Sequence, residues 1–131
     1  KTRRFRKEER IVVMDGVTVT AKPAYNTTQG REKFHPKGVG RGYLFEIEDM
    51  RIYVAGDTED IPEFAEIADV DVAFFPVNQP YTMTPSQCAS AVRAMKPKRV
   101  IPYHMGNTDL KLLEKELEPT GVPFAIYECL R

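Results

Sequence analysis

The stretch Met50-Arg51-Ile52-Tyr53-Val54-Ala55-Gly56-Asp57-Thr58 decides the fold. Met50 to Val54 is short and rich in β-forming residues, the pattern of a buried strand, and it runs into Ala55-Gly56, where small side chains let the backbone turn tightly. A carboxylate, Asp57, is thereby set at the mouth of the strand. An ionised carboxylate inside an apolar strand needs a partner, such as a metal ion, or a shifted pKa. Two readings are open at this point: a turn or capping aspartate ahead of Ile61-Pro62, or a ligand-binding group. Two further stretches favour the second. Val72 to Val77 is an apolar run ending in Asn78-Gln79, and Arg99 to Tyr103 is another, ending in His104-Met105-Gly106. Three successive strands release polar residues at their carboxyl ends, the edge where open α/β sheets bind ligands.

The bounds agree with a folded domain. Of 131 residues, 42% are hydrophobic and 29% charged, enough apolar content for one core. Nineteen basic residues balance nineteen acidic ones, so net charge argues for neither nucleic acid nor an anionic membrane as partner. No apolar run approaches the ~20 residues of a bilayer span, and the basic start lacks the apolar core of a signal peptide, so the expected location is the cytoplasm. Cys88, expected in a helix, and Cys129, expected in the last strand, have neither zinc-knuckle spacing nor disulfide density and read as buried free thiols. Lys1 to Arg10 carries six basic and two acidic side chains. It reads as a solvated surface segment continuing from an element further upstream, in preference to a nucleic-acid arm.

Along the chain, Ile11 to Met14, Asp15-Gly16 and Val17 to Lys22 form the strongest local signal, two β-branched runs around a tight type I′ hairpin turn. Alternation of Thr18 and Thr20 with Val17, Val19 and Ala21 gives that hairpin one wet and one buried face. Arg31 to Gly42 is a long excursion between strands, of the sort that carries function. Its glycines open a strand, Tyr43 to Ile47, not a helix, so they are not a dinucleotide fingerprint. His35 within it is one of two histidines; alone, it reads as a solvated residue. Tyr43 to Ile47 and Met50 to Val54 make a second hairpin. Ile61 to Ala68 reads as a short helix capped by Asp60. Thr84-Pro85-Ser86-Gln87 has a hydroxyl N-cap, Pro at the first helical position and Gln at the third, a capping box opening a helix that buries Ala89, Val92 and Met95. Asn107 or Thr108 opens the next helix through Leu110, Leu113 and Leu117, ended by Gly121, and Phe124 to Leu130 is the final strand. The sum is two hairpins followed by β-α-β-α-β: a mixed sheet with helices on one face, its other face lacking a cover.

Gly56-Asp57-Thr58 after a strand, Tyr81-Thr82-Met83-Thr84 before a helix, and Ile101-Pro102-Tyr103-His104-Met105-Gly106 after the next strand resemble, in that order and spacing, the C-terminal half of the metallo-β-lactamase superfamily. The resemblance runs from about Ile11 onward and is strongest to small hydrolases related to ascorbate-phosphate lactonases. It implies an α/β fold, half of a four-layered αββα sandwich carrying two metal ions at its edge, zinc or alternatively manganese or iron. By position it makes Asp57 the bridging carboxylate and His104 the last histidine ligand. Where the family often has a histidine this chain has Tyr25-Asn26, and His35 in Phe34-His35-Pro36-Lys37-Gly38 takes the substitute's place. The His-x-His-x-Asp-His motif, which supplies the remaining ligands, does not occur in the 131 residues.

The expectation is therefore a metal-dependent hydrolase of a small ester, lactone or phosphoester, to which residues 1–131 contribute only part of the active site and are inactive alone. Metal ligands would be His35, Asp57 and His104, with Asp57 and His104 catalytic through the metals. Asn26, Asn78, Gln79 and Tyr81 would line the pocket for a small-molecule substrate. The partner covering the open face would be the N-terminal half of the fold or a second copy of the chain. A binding module that kept the fold without its metals, and an RNA-processing factor, are the alternatives.

Overall fold

The computed structural model describes residues 8–131. The reading of the basic start falls largely outside these residues. Six strands form one sheet in sequential order: β1 Arg10–Met14, β2 Val17–Ala24, β3 Gly40–Ile47, β4 Met50–Val54, β5 Val72–Pro76 and β6 Arg99–Tyr103. The first three pairings are antiparallel, while β4, β5 and β6 run parallel. Two helices, α1 Pro85–Met95 and α2 Leu110–Leu117, follow β5 and β6. No helix among the described residues is long and apolar enough to cross a membrane.

Register assigns the faces. Leu44, Tyr53, Ala73 and Val100 stand opposite one another on successive strands and pack with Cys88, Val92 and Met95 of α1 and Leu113 and Leu117 of α2. Tyr53, Phe64 and Phe75 form an aromatic centre, edge-on for Tyr53–Phe64 with ring centroids 5.8 Å apart and tilted for Phe64–Phe75 at 5.3 Å. The second register row runs Val19, Phe45, Ile52 and Val72, and beside it Tyr43, Val54, Phe74 and Ile101. None of these belongs to the helix-packed core. Hence the sheet has an apolar second face that no helix among the described residues covers, and Val17, Val19, Ile52, Val54 and Phe74 share it while Leu44 and Val100 face the helices.

The helix starts follow from side-chain capping. Thr84 accepts from Gln87 N–H at 3.0 Å while the Gln87 side chain accepts from Thr84 N–H at 2.9 Å, the reciprocal box predicted for α1. The start of α2 differs from expectation. The Thr108 hydroxyl is donated to Val77 O at 2.5 Å, and Asp109 instead caps Lys111 and Leu112 N–H.

Four further local readings are corrected. The first hairpin is not type I′: only Gly16, at φ +77°, has positive φ in the turn, and a bulge between Val12 and Met14 absorbs the register. Ile61 to Ala68 shortens to a 3₁₀ turn, Pro62–Glu66, whose N-cap is Ile61 with no side-chain bond, so Asp60 caps nothing. Phe124 to Leu130 is not a strand. Phe124 makes a single parallel bridge to Val100, after which the chain crosses the end of β6 and finishes in a 3₁₀ turn, Glu128–Leu130, with Leu130 O accepting His104 N–H at 2.8 Å. Cys129 is accordingly exposed, whereas Cys88 is buried.

Candidate metal centre

Because β2 runs parallel to β4, β5 and β6, four strand ends open onto one edge of the sheet. That edge carries the loop of His35 after β2, Asp57 after β4, Asn78 after β5 and His104 after β6. Three of these side chains meet. Asp57 Oδ1 lies 3.1 Å from His104 Nδ1, and Asp57 Oδ2 lies 3.7 Å from His35 Nε2. On its other side His104 Nε2 is 3.4 Å from Asn78 Nδ2. An amide can only donate from nitrogen, so the neutral imidazole consistent with both contacts donates from Nδ1 to Asp57 and accepts at Nε2. Asp57, His35 and His104 are all partly solvent-accessible.

The backbone at this edge is shaped for close approach. His104 sits at φ +48°, a left-handed conformation that costs a non-glycine residue roughly 1–2 kcal/mol and is held by the bond from its N–H to Leu130 O. Gly56, at φ +71°, has no room for a Cβ beside Arg41 O, and its N–H is donated to the Tyr103 hydroxyl oxygen at 3.1 Å. Burial pushes the Tyr103 phenol up to about 12 against the lowering effect of that bond, and the Asp57 charge adds to the rise, so Tyr103 stays protonated beside the carboxylate.

The loop of His35 is tied down by a buried polar network that sequence reasoning missed. Glu59, two residues beyond Asp57, is fully buried and accepts from Thr27 N–H at 3.1 Å, Thr28 N–H at 2.9 Å and the Thr28 hydroxyl at 2.5 Å. It also accepts from the Gln87 amide and pairs with Arg31 Nη1 at 3.2 Å. Burial would raise its pKa, but the Thr28, Gln87 and Arg31 interactions outweigh that and hold it below the ordinary range. Arg31 in turn donates from Nε to Pro80 O at 2.8 Å and from Nη2 to Thr82 O. Asn26 N–H closes the loop on His35 O at 2.9 Å, and Phe34 packs edge-on against Tyr81 at 4.9 Å. The one signal available in the sequence was Gln87, whose side chain serves the capping box and Glu59 at once.

Asn78, Gln79 and Tyr81 line a groove of about 620 Å³ together with Asn107, Asp109 and Leu112 of the α2 entry. Asn26 does not reach this groove. It is buried and donates from Nδ2 to Tyr81 O at 2.7 Å and Arg31 O at 3.0 Å, so its part is to brace the wall.

A mixed six-stranded sheet with its two helices on one side is the architecture of part of a metallo-β-lactamase fold. Comparison with known proteins agrees: the profile of the β-lactamase superfamily domain matches residues 3–104, and the chain belongs to that superfamily. A metal-dependent hydrolase of the UPF0173 group from Pyrobaculum arsenaticum is 36% identical over 93 residues, covering 69% of this chain and 38% of that protein. A crystal structure from Parabacteroides distasonis, described as a candidate metal-dependent hydrolase, is 44% identical and superposes with a TM-score of 0.93 over 98% of this chain and 58% of that one. The metallo-β-lactamase-fold protein YhfI from Bacillus subtilis, 10% identical, shares the fold at a TM-score of 0.74 over 94% of this chain and 51% of that chain. The chain thus spans roughly 38–58% of the length of these similar proteins.

Proposed function

We propose that the chain forms the C-terminal part of a metal-dependent hydrolase, in which His35, Asp57 and His104 contribute to a two-ion centre. The observation that carries this is Asp57, whose two carboxylate oxygens each face a different histidine at the sheet edge. Two imidazoles and a carboxylate are donors suited to zinc, and equally to manganese or iron. They are an incomplete set: among the described residues no group of three or more His, Cys, Asp and Glu side chains encloses an ion by itself. The remaining ligands would come from an N-terminal half, whose sheet would also cover the apolar face of Phe45, Ile52, Val54 and Phe74. A second copy of this chain is the other candidate cover. The expected compartment is the cytoplasm.

Metal held by His35, Asp57 and His104 together with ligands from the N-terminal half would supply Lewis-acid polarisation of a carbonyl or phosphoryl oxygen and a more acidic water. The residues of this chain do the positioning. Asp57 orients His104 through Nδ1, which leaves Nε2, now beside the Asn78 amide at 3.4 Å, as the nitrogen that would bind metal, a carboxylate–histidine arrangement. Tyr103 fixes the Gly56 turn that aims Asp57, and the Glu59–Arg31 network fixes the loop that presents His35. Esters, lactones and phosphoesters are the substrate classes this chemistry serves.

The test uses the full-length protein, stripped by chelation and assayed on p-nitrophenyl acetate, a γ-lactone and bis-p-nitrophenyl phosphate. Hydrolysis of at least one should return on adding zinc, manganese or iron(II), and Asp57→Ala should abolish it. Turnover indifferent to chelation, or retained in Asp57→Ala, overturns the proposal.

A further inference from the structure

The groove beside His104 has a composition of its own. Its volume of about 620 Å³ lies within the range that holds a small organic molecule. Asn78 is the wall it shares with the histidine: the amide contacts His104 Nε2 at 3.4 Å and also lines the groove, so the groove lies one side chain away from the candidate centre.

Three features define what fits. First, among the described residues the lining contains no Lys, Arg or His, and the charge it carries is Asp109. The α2 N-terminus offers no anion site either, because Asp109 Oδ1 already accepts Lys111 N–H at 3.0 Å and Leu112 N–H at 3.3 Å. Among the described residues Arg131 bonds the backbone of this wall, but its guanidinium donates to Gly106 O at 2.8 Å, Thr108 O at 3.2 Å and the Glu128 carboxylate. Second, the side-chain amides of Gln79 and Asn107 make no hydrogen bond to any described residue and lie exposed in the lining, offering donors and acceptors in pairs. Third, Tyr81 and Leu112 remain 46% and 44% exposed, an apolar surface within a polar groove. Tyr81 is held ready: Phe34 packs against its ring, its N–H is donated to Asn78 O at 3.0 Å, and its carbonyl accepts from Asn26.

Free amides beside a fixed aromatic ring, without cations, suit a ring that carries hydroxyls on its edge and C–H groups on its face. The geometry points to this groove as the subsite for an uncharged, hydroxyl-bearing ring, a sugar or cyclic polyol portion of the substrate, and as a site that rejects the same ring once phosphorylated. The inference rests on the hydrolase reading only for its place in turnover; the binding itself needs no metal.

The experiment is therefore run on full-length, metal-stripped protein by saturation-transfer NMR, with methyl β-glucoside and glucose 6-phosphate as probes. Methyl β-glucoside should bind at millimolar concentration and glucose 6-phosphate about tenfold more weakly, the phosphate meeting Asp109 with no compensating cation. Tyr81→Ala should weaken the glucoside by about fivefold or more through loss of the platform. Asn107→Ala, which removes no internal bond and leaves the fold untouched, should weaken it about threefold or more. Leu112→Lys should bring the phosphorylated sugar level with or above the neutral one. No transfer to methyl β-glucoside, equal or tighter binding of glucose 6-phosphate by the unmodified protein, or unchanged binding in Asn107→Ala each overturns the assignment. Because no metal is present, these outcomes are separate from failure of the hydrolase reading, which the chelation assay alone decides.

Discussion

Replacing Arg31 by Met should unfold the protein more readily than its loop position suggests. The Arg31 side chain is 16% exposed and its partner Glu59 is 0% exposed, so removing the guanidinium leaves a carboxylate enclosed without its counter-charge. Breaking a buried pair in this way costs about 3–5 kcal/mol. Three donors from Thr27 and Thr28 remain on Glu59, which places the cost near the lower end of that range. Thr82 is buried and its carbonyl loses the Arg31 donor, adding about 1 kcal/mol. The expected total is about 3–4 kcal/mol. Glu59→Gln leaves the charge on the more exposed partner and should cost about 1–2 kcal/mol. The double variant buries no charge, so it should fall short of the sum of the singles by about 1–3 kcal/mol. Urea denaturation of the four proteins at pH 7, followed by circular dichroism, measures the cycle. Additive losses, or Arg31→Met within about 0.5 kcal/mol of the parent, would refute the idea that this pair anchors the His35 loop.

The same network sets an acid limit. The folded pKa of Glu59 lies below its ordinary value of 4.5, so its contribution is complete above that pH and is lost as pH falls through the lower folded value; Glu59→Gln should therefore flatten the acid limb of the stability curve, and an unchanged limb would contradict the network. Tyr53 presents the opposite case, a buried phenol with no hydrogen-bond partner among the described residues. Tyr53→Phe should leave the melting temperature unchanged or raise it by the equivalent of about 1 kcal/mol, whereas a loss above 1 kcal/mol would show that the hydroxyl is satisfied. For the open sheet face, residues 1–131 expressed alone should self-associate or require a partner segment, burying above about 1,200 Å². A monodisperse 14.9 kDa monomer with a cooperative melt in sedimentation and thermal scans would mean that the apolar row needs no cover.

Strand identity and the site edge were legible in the sequence because both depend on short-range patterns. Short apolar runs leading to Asp57, Asn78 and His104 announce strands with polar exits at one edge, and Thr84-Pro85 with Gln87 announces a helix start through local bonds alone. Elements fixed by long-range partners were not legible. Phe124 to Leu130 has strand-like composition, but its carbonyl at Leu130 is captured by His104 N–H, and Arg131 draws the end of the chain across Gly106 and Thr108. Thr108 resembles a cap until Val77 O takes its hydroxyl. Asn26 has the polarity of a pocket residue, and only the tertiary fold turns it inward to Tyr81 and Arg31. Glu59 and Arg31 lie 28 residues apart in loops where periodicity carries no information, so their pairing leaves no trace in the sequence pattern.

If His35, Asp57 and His104 act together as metal donors, metal titration of the full-length protein will show it. Zinc binding followed by calorimetry at pH 7.5, with metal content read by elemental analysis, should show tight sites in the parent. Affinity should fall about 10- to 100-fold or more in each of His35→Ala, Asp57→Ala and His104→Ala while circular dichroism stays unchanged. Affinity and stoichiometry unaltered in His104→Ala and Asp57→Ala would contradict the account, because the meeting of these side chains at the sheet edge would then have no bearing on metal.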